Sequence, residues 1–197
     1  MAQYFLGIEL GSTRIKAVLL NAERQIVETG ECTWKSKLEH GVWTYPMDAV
    51  QAGLRTALRN LGELPGEISA MGVSAMMHGY LAFDKDWNLL APFRTWQNTM
   101  TGEADKLTNV FSFNIPQRWS VAHLYQAILN KEAHVPQIAH ITTLAGYVHY
   151  RLTGENVLGV GEASGMFPID SETCDYDARM LAQFDEMSEQ HGFARKL

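Results

Sequence analysis

Only two cysteines, Cys32 and Cys174, occur in the chain, and neither belongs to a Cys-x-x-Cys pair. That excludes a zinc ribbon and a disulfide framework, and leaves two reduced thiols in a cytosolic protein. Charge is sparse as well, at 19% of the 197 residues. The 22 acidic and 16 basic side chains give a net charge of -6 and form no long run of either sign. No basic stripe is therefore present to neutralise a nucleic-acid backbone. Long apolar runs are missing too: Glu9 interrupts the first, Met1 to Lys16 lacks the basic start of a signal peptide, and no later stretch reaches the length of a membrane span. The cytoplasm is the expected location. What is abundant is core material, 46% hydrophobic residues without internal repeats or low-complexity linkers, enough for one globular domain.

The opening of the chain reads as strands. Tyr4 to Leu10 is a short apolar run, Gly11-Ser12-Thr13 supplies turn chemistry, and Arg14 to Leu20 alternates Ile15, Ala17 and Leu19 with more polar neighbours. After the polar break at Asn21 to Arg24, Gln25 to Trp34 reads as a third strand. Val50, Leu54, Ala57, Leu58 and Leu61 then fall on one helical face, with Asp48 near the start and Gly62 as the stop. Ile68 to Ala75 is a buried-strand candidate, followed by Tyr80 to Phe83. The order is β-β-β-α-β, an α/β fold. Helices are expected over Ser120 to Asn130, over Leu144 to Leu152 with a stop at Thr153-Gly154, and over Asp177 to Gln190. Trp119 and Tyr125, flanking the first of these faces, are expected in the core.

Gly7-Ile8-Glu9-Leu10-Gly11-Ser12-Thr13 sets a carboxylate at a strand end beside a tight hairpin turn. Such a turn can aim backbone N–H groups and two hydroxyls at a phosphate, while the carboxylate helps to hold a hydrated magnesium ion. None of His40, His123, His134, His140, His149 and His191 has metal-ligand spacing, so these are read as structural or surface residues. His78, after an apolar run, suits contact with a hydroxyl near neutral pH.

These segments resemble the FGGY carbohydrate kinases of the actin-like ATPase superfamily. Gly7 to Thr13 is similar to the family's G-I-D-x-G-T-S motif with Glu in place of Asp. Gly72 to Gly79, with Met77-His78-Gly79, resembles the xylulokinase segment that contacts sugar. Arg94-Thr95-Trp96-Gln97-Asn98 resembles a Trp-centred stretch in which Asp commonly stands at the position of Asn98, and Gly161 to Met166 resembles a D-A-S-G segment. Order and rough spacing hold over essentially the whole chain.

The resemblance implies a ribonuclease-H-like α/β domain with a mixed sheet, working on ATP with Mg2+. It makes Gly11, Ser12, Thr13 and Lys16 the ATP phosphate contacts and Glu9 the metal residue. Met77, His78, Trp96 and Asn98 become the sugar contacts, with a sugar most like xylulose and with a homodimer left open. The family's catalytic Asp lies in a later G-G-x-D-N segment and its second domain supplies most of the adenine pocket. Neither matches residues 1–197, which are thus expected to be an incomplete N-terminal domain. Related kinases are about twice as long or longer. Glu9 carries one methylene more than Asp, which motivates the alternative of a sugar- or nucleotide-binding regulatory module without catalysis. Glu162 and Asp170 are the fallback candidates for a catalytic base within the chain.

Overall fold

The computed structural model describes residues 3–194. Its elements are β1 (Tyr4–Leu10), β2 (Arg14–Leu20), β3 (Ile26–Thr33), β4 (Lys37–Glu39), β5 (Val42–Thr44), α1 (Met47–Asn60), β6 (Ile68–Ala75) and β7 (Leu81–Phe83). There follow α2 (Ala104–Phe111), α3 (Ser120–Leu129), β8 (His140–Thr142), α4 (Leu144–Thr153), the single turn α5 (Val160–Ala163), β9 (Ile169–Asp170), β10 (Asp175–Tyr176) and α6 (Ala178–Glu189). The main sheet runs β3-β2-β1-β6. Antiparallel pairing joins the first three strands and parallel pairing joins β1 to β6, so the sheet is mixed, as expected.

Alternation decides which face is covered. Leu10, Ile15 and Ala75 align across three strands, as do Ile8 and Ala17, and all five are buried. Helix α1 covers this face against β2 and β3, while α4 packs on β6. The contact is close enough to require glycine: a Cβ at Gly30 would stand 2.1 Å from the Ala57 carbonyl oxygen, and one at Gly53 would stand 2.6 Å from Ile15 Cδ1. Glu9 and Lys16, one residue out of phase with the buried set, stand opposite each other on the other face. The period-2 rule thus places a carboxylate in open space within an apolar strand.

A second core gathers Tyr80 and Ala82 with α2, α3 and α6, including Leu107, Phe111, Leu124, Ile128 and Phe184. The strands and helices read from the sequence are all present, most within one or two residues of their expected ends. Gly154 takes φ +78° and stops α4, and Gly62 at +76° follows α1. Several short elements escaped the reading: the β4–β5 hairpin, α2, β8 that pairs with β7, the turn α5 and the β9–β10 pair. Ile26 lies on the solvent side of edge strand β3, beyond a register shift at Leu19/Leu20. Among the described residues no helix is long and apolar enough to cross a membrane.

Candidate functional site

The carboxyl ends of the parallel strands β1 and β6 open on one cavity of about 390 Å³, lined by Glu9, Gly11, Ser12, Ala75, Met76, Met77, His78, Trp96 and Arg118. A larger cavity of about 420 Å³, lined mainly by apolar side chains of α3 and its neighbours, shares none of these residues. The chemistry-bearing groups are in the smaller one. Strand ends of a parallel pair are where loops diverge and leave room for a ligand.

The β1–β2 turn forms one wall, and its carbonyls are held from behind. The Trp34 indole donates to Gly11 O at 2.7 Å, the Tyr45 hydroxyl to Ser12 O at 2.6 Å, and the Trp34 amide to Thr13 O at 3.1 Å. Gly11 N–H closes the turn on Arg14 O at 2.9 Å. The Ser12 and Thr13 amides donate to no group among the described residues. With three carbonyls drawn back and two amides free, the turn has the polarity of an anion cradle. Beside it Glu9 pairs with Lys16 at 3.7 Å, both side chains being well exposed.

The opposite wall is the Met77-His78-Gly79 turn. Main-chain pairing of β6 with β1 continues one step past the strand, Met76 N–H to Leu10 O at 2.9 Å, and then breaks. His78 and Gly79 adopt φ of 66° and 96°. A left-handed histidine is strained and must be held by its surroundings. Three contacts hold it: Gly79 N–H donates to Arg118 O at 3.1 Å, the Ser120 hydroxyl donates to Gly79 O, and His78 Nδ1 lies 3.2 Å from Gly165 O. Trp119 stacks on the imidazole with centroids 6.3 Å apart and planes 18° apart. Burial, more than the nearby Arg118 charge, lowers the His78 pKa; the Gly165 carbonyl partly opposes this. With a lowered pKa the ring is neutral at pH 7; its Nδ1–H donates to the Gly165 carbonyl, which leaves Nε2 free to accept from a hydroxyl.

Residues 4–191 match the model of the FGGY family of carbohydrate kinases, N-terminal domain. The chain belongs to that family. It is 25% identical over 193 residues to a xylulose kinase of Klebsiella pneumoniae, covering 92% of the chain and 40% of that protein. It is 31% identical over 117 residues to a gluconokinase of Bacillus subtilis, covering 54% of the chain and 22% of that protein. Its fold matches the crystal structure of gluconate kinase from Lactobacillus acidophilus with a TM-score of 0.82 at 19% identity, over 96% of this chain and 41% of that one. The mixed sheet is thus shared with an FGGY-type kinase of known structure, and the chain spans less than half the length of these relatives.

Within this FGGY domain, six of the residues singled out from sequence share the cavity: Glu9, Gly11, Ser12, Met77, His78 and Trp96. Thr13, Lys16 and Asn98 are not on its wall. Lys16 is engaged by Glu9. Asn98 is 3% exposed; its carboxamide accepts from Trp43 N–H at 2.8 Å and donates to Trp43 O at 2.8 Å and Thr95 O at 3.0 Å. It fastens the segment carrying Trp96 to β5. Of the segment Gly161 to Met166, the Gly165 carbonyl reaches His78, whereas Glu162 lies elsewhere; burial raises its carboxyl pKa, with the Thr143 hydroxyl opposing. Asp170 is occupied in a turn, accepting from Glu172 and Thr173 N–H. Sequence reasoning missed Arg118; it placed Trp119 in the core, and Trp119 does pack, half-buried, against the second core while also stacking on His78. The only local signal was Arg-Trp just before a helix start, which gives no hint that both sit against a turn some forty residues earlier in the chain.

Proposed function

We propose that this chain is the first domain of a two-domain kinase that transfers the terminal phosphoryl group of ATP to a hydroxyl of a sugar. The observation that carries this reading is that an anion-cradling turn and a neutral, hydroxyl-directed histidine face each other across one cavity. In-line transfer needs little covalent chemistry from the protein and depends on positioning and charge stabilisation. The Ser12 and Thr13 amides would hold phosphate oxygens, His78, backed by Trp119, would orient the acceptor hydroxyl, and Trp96 and Met77 would contact its carbon skeleton. Among the described residues no three His, Cys, Asp or Glu side chains stand together as a metal cluster, so Glu9 alone is offered to magnesium. That fits an ion that keeps most of its water and takes other ligands from phosphates, supplying charge neutralisation when bound.

On this reading the base that takes the hydroxyl proton, and most of the adenine pocket, come from outside these residues. On the same reading the acceptor is a ketose or sugar acid, with xylulose as the reference, and the cytoplasm is the working compartment; a homodimer stays compatible. The Glu9–Lys16 pair favours one competing reading, a binding module without turnover, because Lys16 competes for the carboxylate. Sugar-stimulated ADP release by the full-length protein separates the two. We expect magnesium-dependent release, with a His78→Ala variant impaired in use of the sugar far more than of ATP. Binding of sugar and ATP with no release for any ketose, polyol or sugar acid would establish the binding module instead.

A further inference from the structure

The ionisable side chains lining the cavity are Glu9, His78 and Arg118. Glu9 already has a counter-ion in Lys16, directly opposite on β2 at 3.7 Å. His78 is uncharged at neutral pH, for the reasons given above. Arg118 forms no ion pair and no side-chain hydrogen bond with any described residue. The cavity therefore carries one uncompensated positive charge. Arg118 is an exposed residue that lines the cavity together with Trp96 and His78.

Its position is built into the fold. The Arg118 carbonyl accepts the Gly79 amide at 3.1 Å, and two residues later the Ser120 hydroxyl binds the Gly79 carbonyl. The backbone under Arg118 is thus fixed to the same turn that presents His78. Between these two bonds Trp119 stacks on the His78 ring, and Phe113 packs against Trp119 with centroids 6.2 Å apart. The planar guanidinium fork of N–H donors matches the two oxygens of a carboxylate.

We propose that Arg118 is a specificity-determining residue that binds a carboxylate on the acceptor, making the substrate class sugar acids (aldonates) rather than neutral ketoses or polyols. This rests on the kinase reading for the ligand being sugar-like, but the charge pairing is separable from turnover. A carboxylate held at Arg118 anchors one end of an extended hydroxylated chain, with a hydroxyl near His78 and the far end directed to the Ser12 turn. A neutral sugar gains no such contact, so the cavity discriminates by attraction.

The test is calorimetric binding of gluconate and xylulose, without ATP, to the full-length protein and its Arg118→Gln and Arg118→Lys variants, with ADP release measured in parallel. We expect gluconate to bind the unaltered protein more tightly than xylulose. Arg118→Gln should lower the gluconate-to-xylulose affinity ratio by about tenfold or more, and Arg118→Lys should lower it less, because the charge remains but the fork is lost. Equal or tighter xylulose binding, an equal loss for both ligands, or an effect confined to the KM for ATP would overturn the proposal. Arg118-dependent gluconate binding with no ADP release would retire the kinase reading and keep the carboxylate assignment. Turnover of xylulose with gluconate neither bound nor used would do the reverse.

Discussion

His78 Nδ1 stands 3.2 Å from the main-chain oxygen of Gly165, and a Cβ added at Gly165 would stand 2.8 Å from that same nitrogen. The glycine thus accepts the histidine by its carbonyl and by its lack of a side chain. A Gly165→Ala substitution forces the imidazole away from its seat between Gly165 and Trp119. Misplacement of a group that orients the acceptor should lower kcat/KM for the sugar by about tenfold or more, with a smaller change in the KM for ATP. Steady-state kinetics with each substrate varied in turn checks this. Equal losses on both would mean that Gly165 acts only through general stability.

Glu9 occupies the strand end beside the free Ser12 and Thr13 amides. If it holds magnesium through water, Glu9→Gln should reduce turnover by at least about tenfold, equivalent to about 1.4 kcal/mol of transition-state stabilisation. The magnesium concentration needed for half-maximal rate should rise as well. A variant with normal turnover and magnesium dependence would show that the carboxylate serves only its pairing with Lys16.

At Asn98 the two halves of one carboxamide serve the N–H and the C=O of Trp43. Asn98→Ala leaves the Trp43 N–H without its partner, while Trp43 O keeps the Thr95 amide at 3.2 Å, and should cost roughly 1–3 kcal/mol of unfolding free energy. Asn98→Asp keeps the acceptor but turns a carboxylate oxygen towards the carbonyls of Trp43 and Thr95, so it should be at least as damaging at pH 7. Urea denaturation midpoints measure both. An aspartate variant as stable as the unaltered protein would mean that the loop re-forms around the charge.

His123 is fully buried, and burial first, with the Arg94 charge second, pushes its pKa down to about 3. An unfolded histidine titrates near 6.5, so below about that pH the unfolded chain binds a proton that the folded one does not. Stability should therefore fall as pH drops from about 6.5 towards about 3, by up to about 1.4 kcal/mol per pH unit from this residue. His134 and His78, whose pKa values burial also lowers, act with the same sign. Replacing His123 with Leu should make the stability curve between pH 7 and pH 5 shallower. An unchanged slope would show that His123 is solvated or protonated in the folded state.

Local pattern was enough for the strand and helix framework. Period-2 alternation in β2, the helical stripe of α1 and the glycine stops are properties of neighbouring residues, and they sufficed to place the carboxylate of Glu9 at a strand end beside a phosphate-type turn. The β4–β5 hairpin was not legible, because two strands of three residues carry too little alternation to register.

The site divided along the same line. Glu9, Gly11 and Ser12 come from one continuous segment, so sequence alone could nominate them, and their family resemblance carried Met77, His78 and Trp96. Arg118 and Trp119 enter through two hydrogen bonds to Gly79, and Gly165 enters through one carbonyl 87 residues from His78. Asn98 has the residue type of a sugar contact and is turned inward by partners 55 residues away. The sequence by itself determined the strands, the turn chemistry and the carboxylate. Only the tertiary structure decided which polar groups are already satisfied by the protein and which are left for a ligand, because hydrogen-bond partners distant in the chain do that selection.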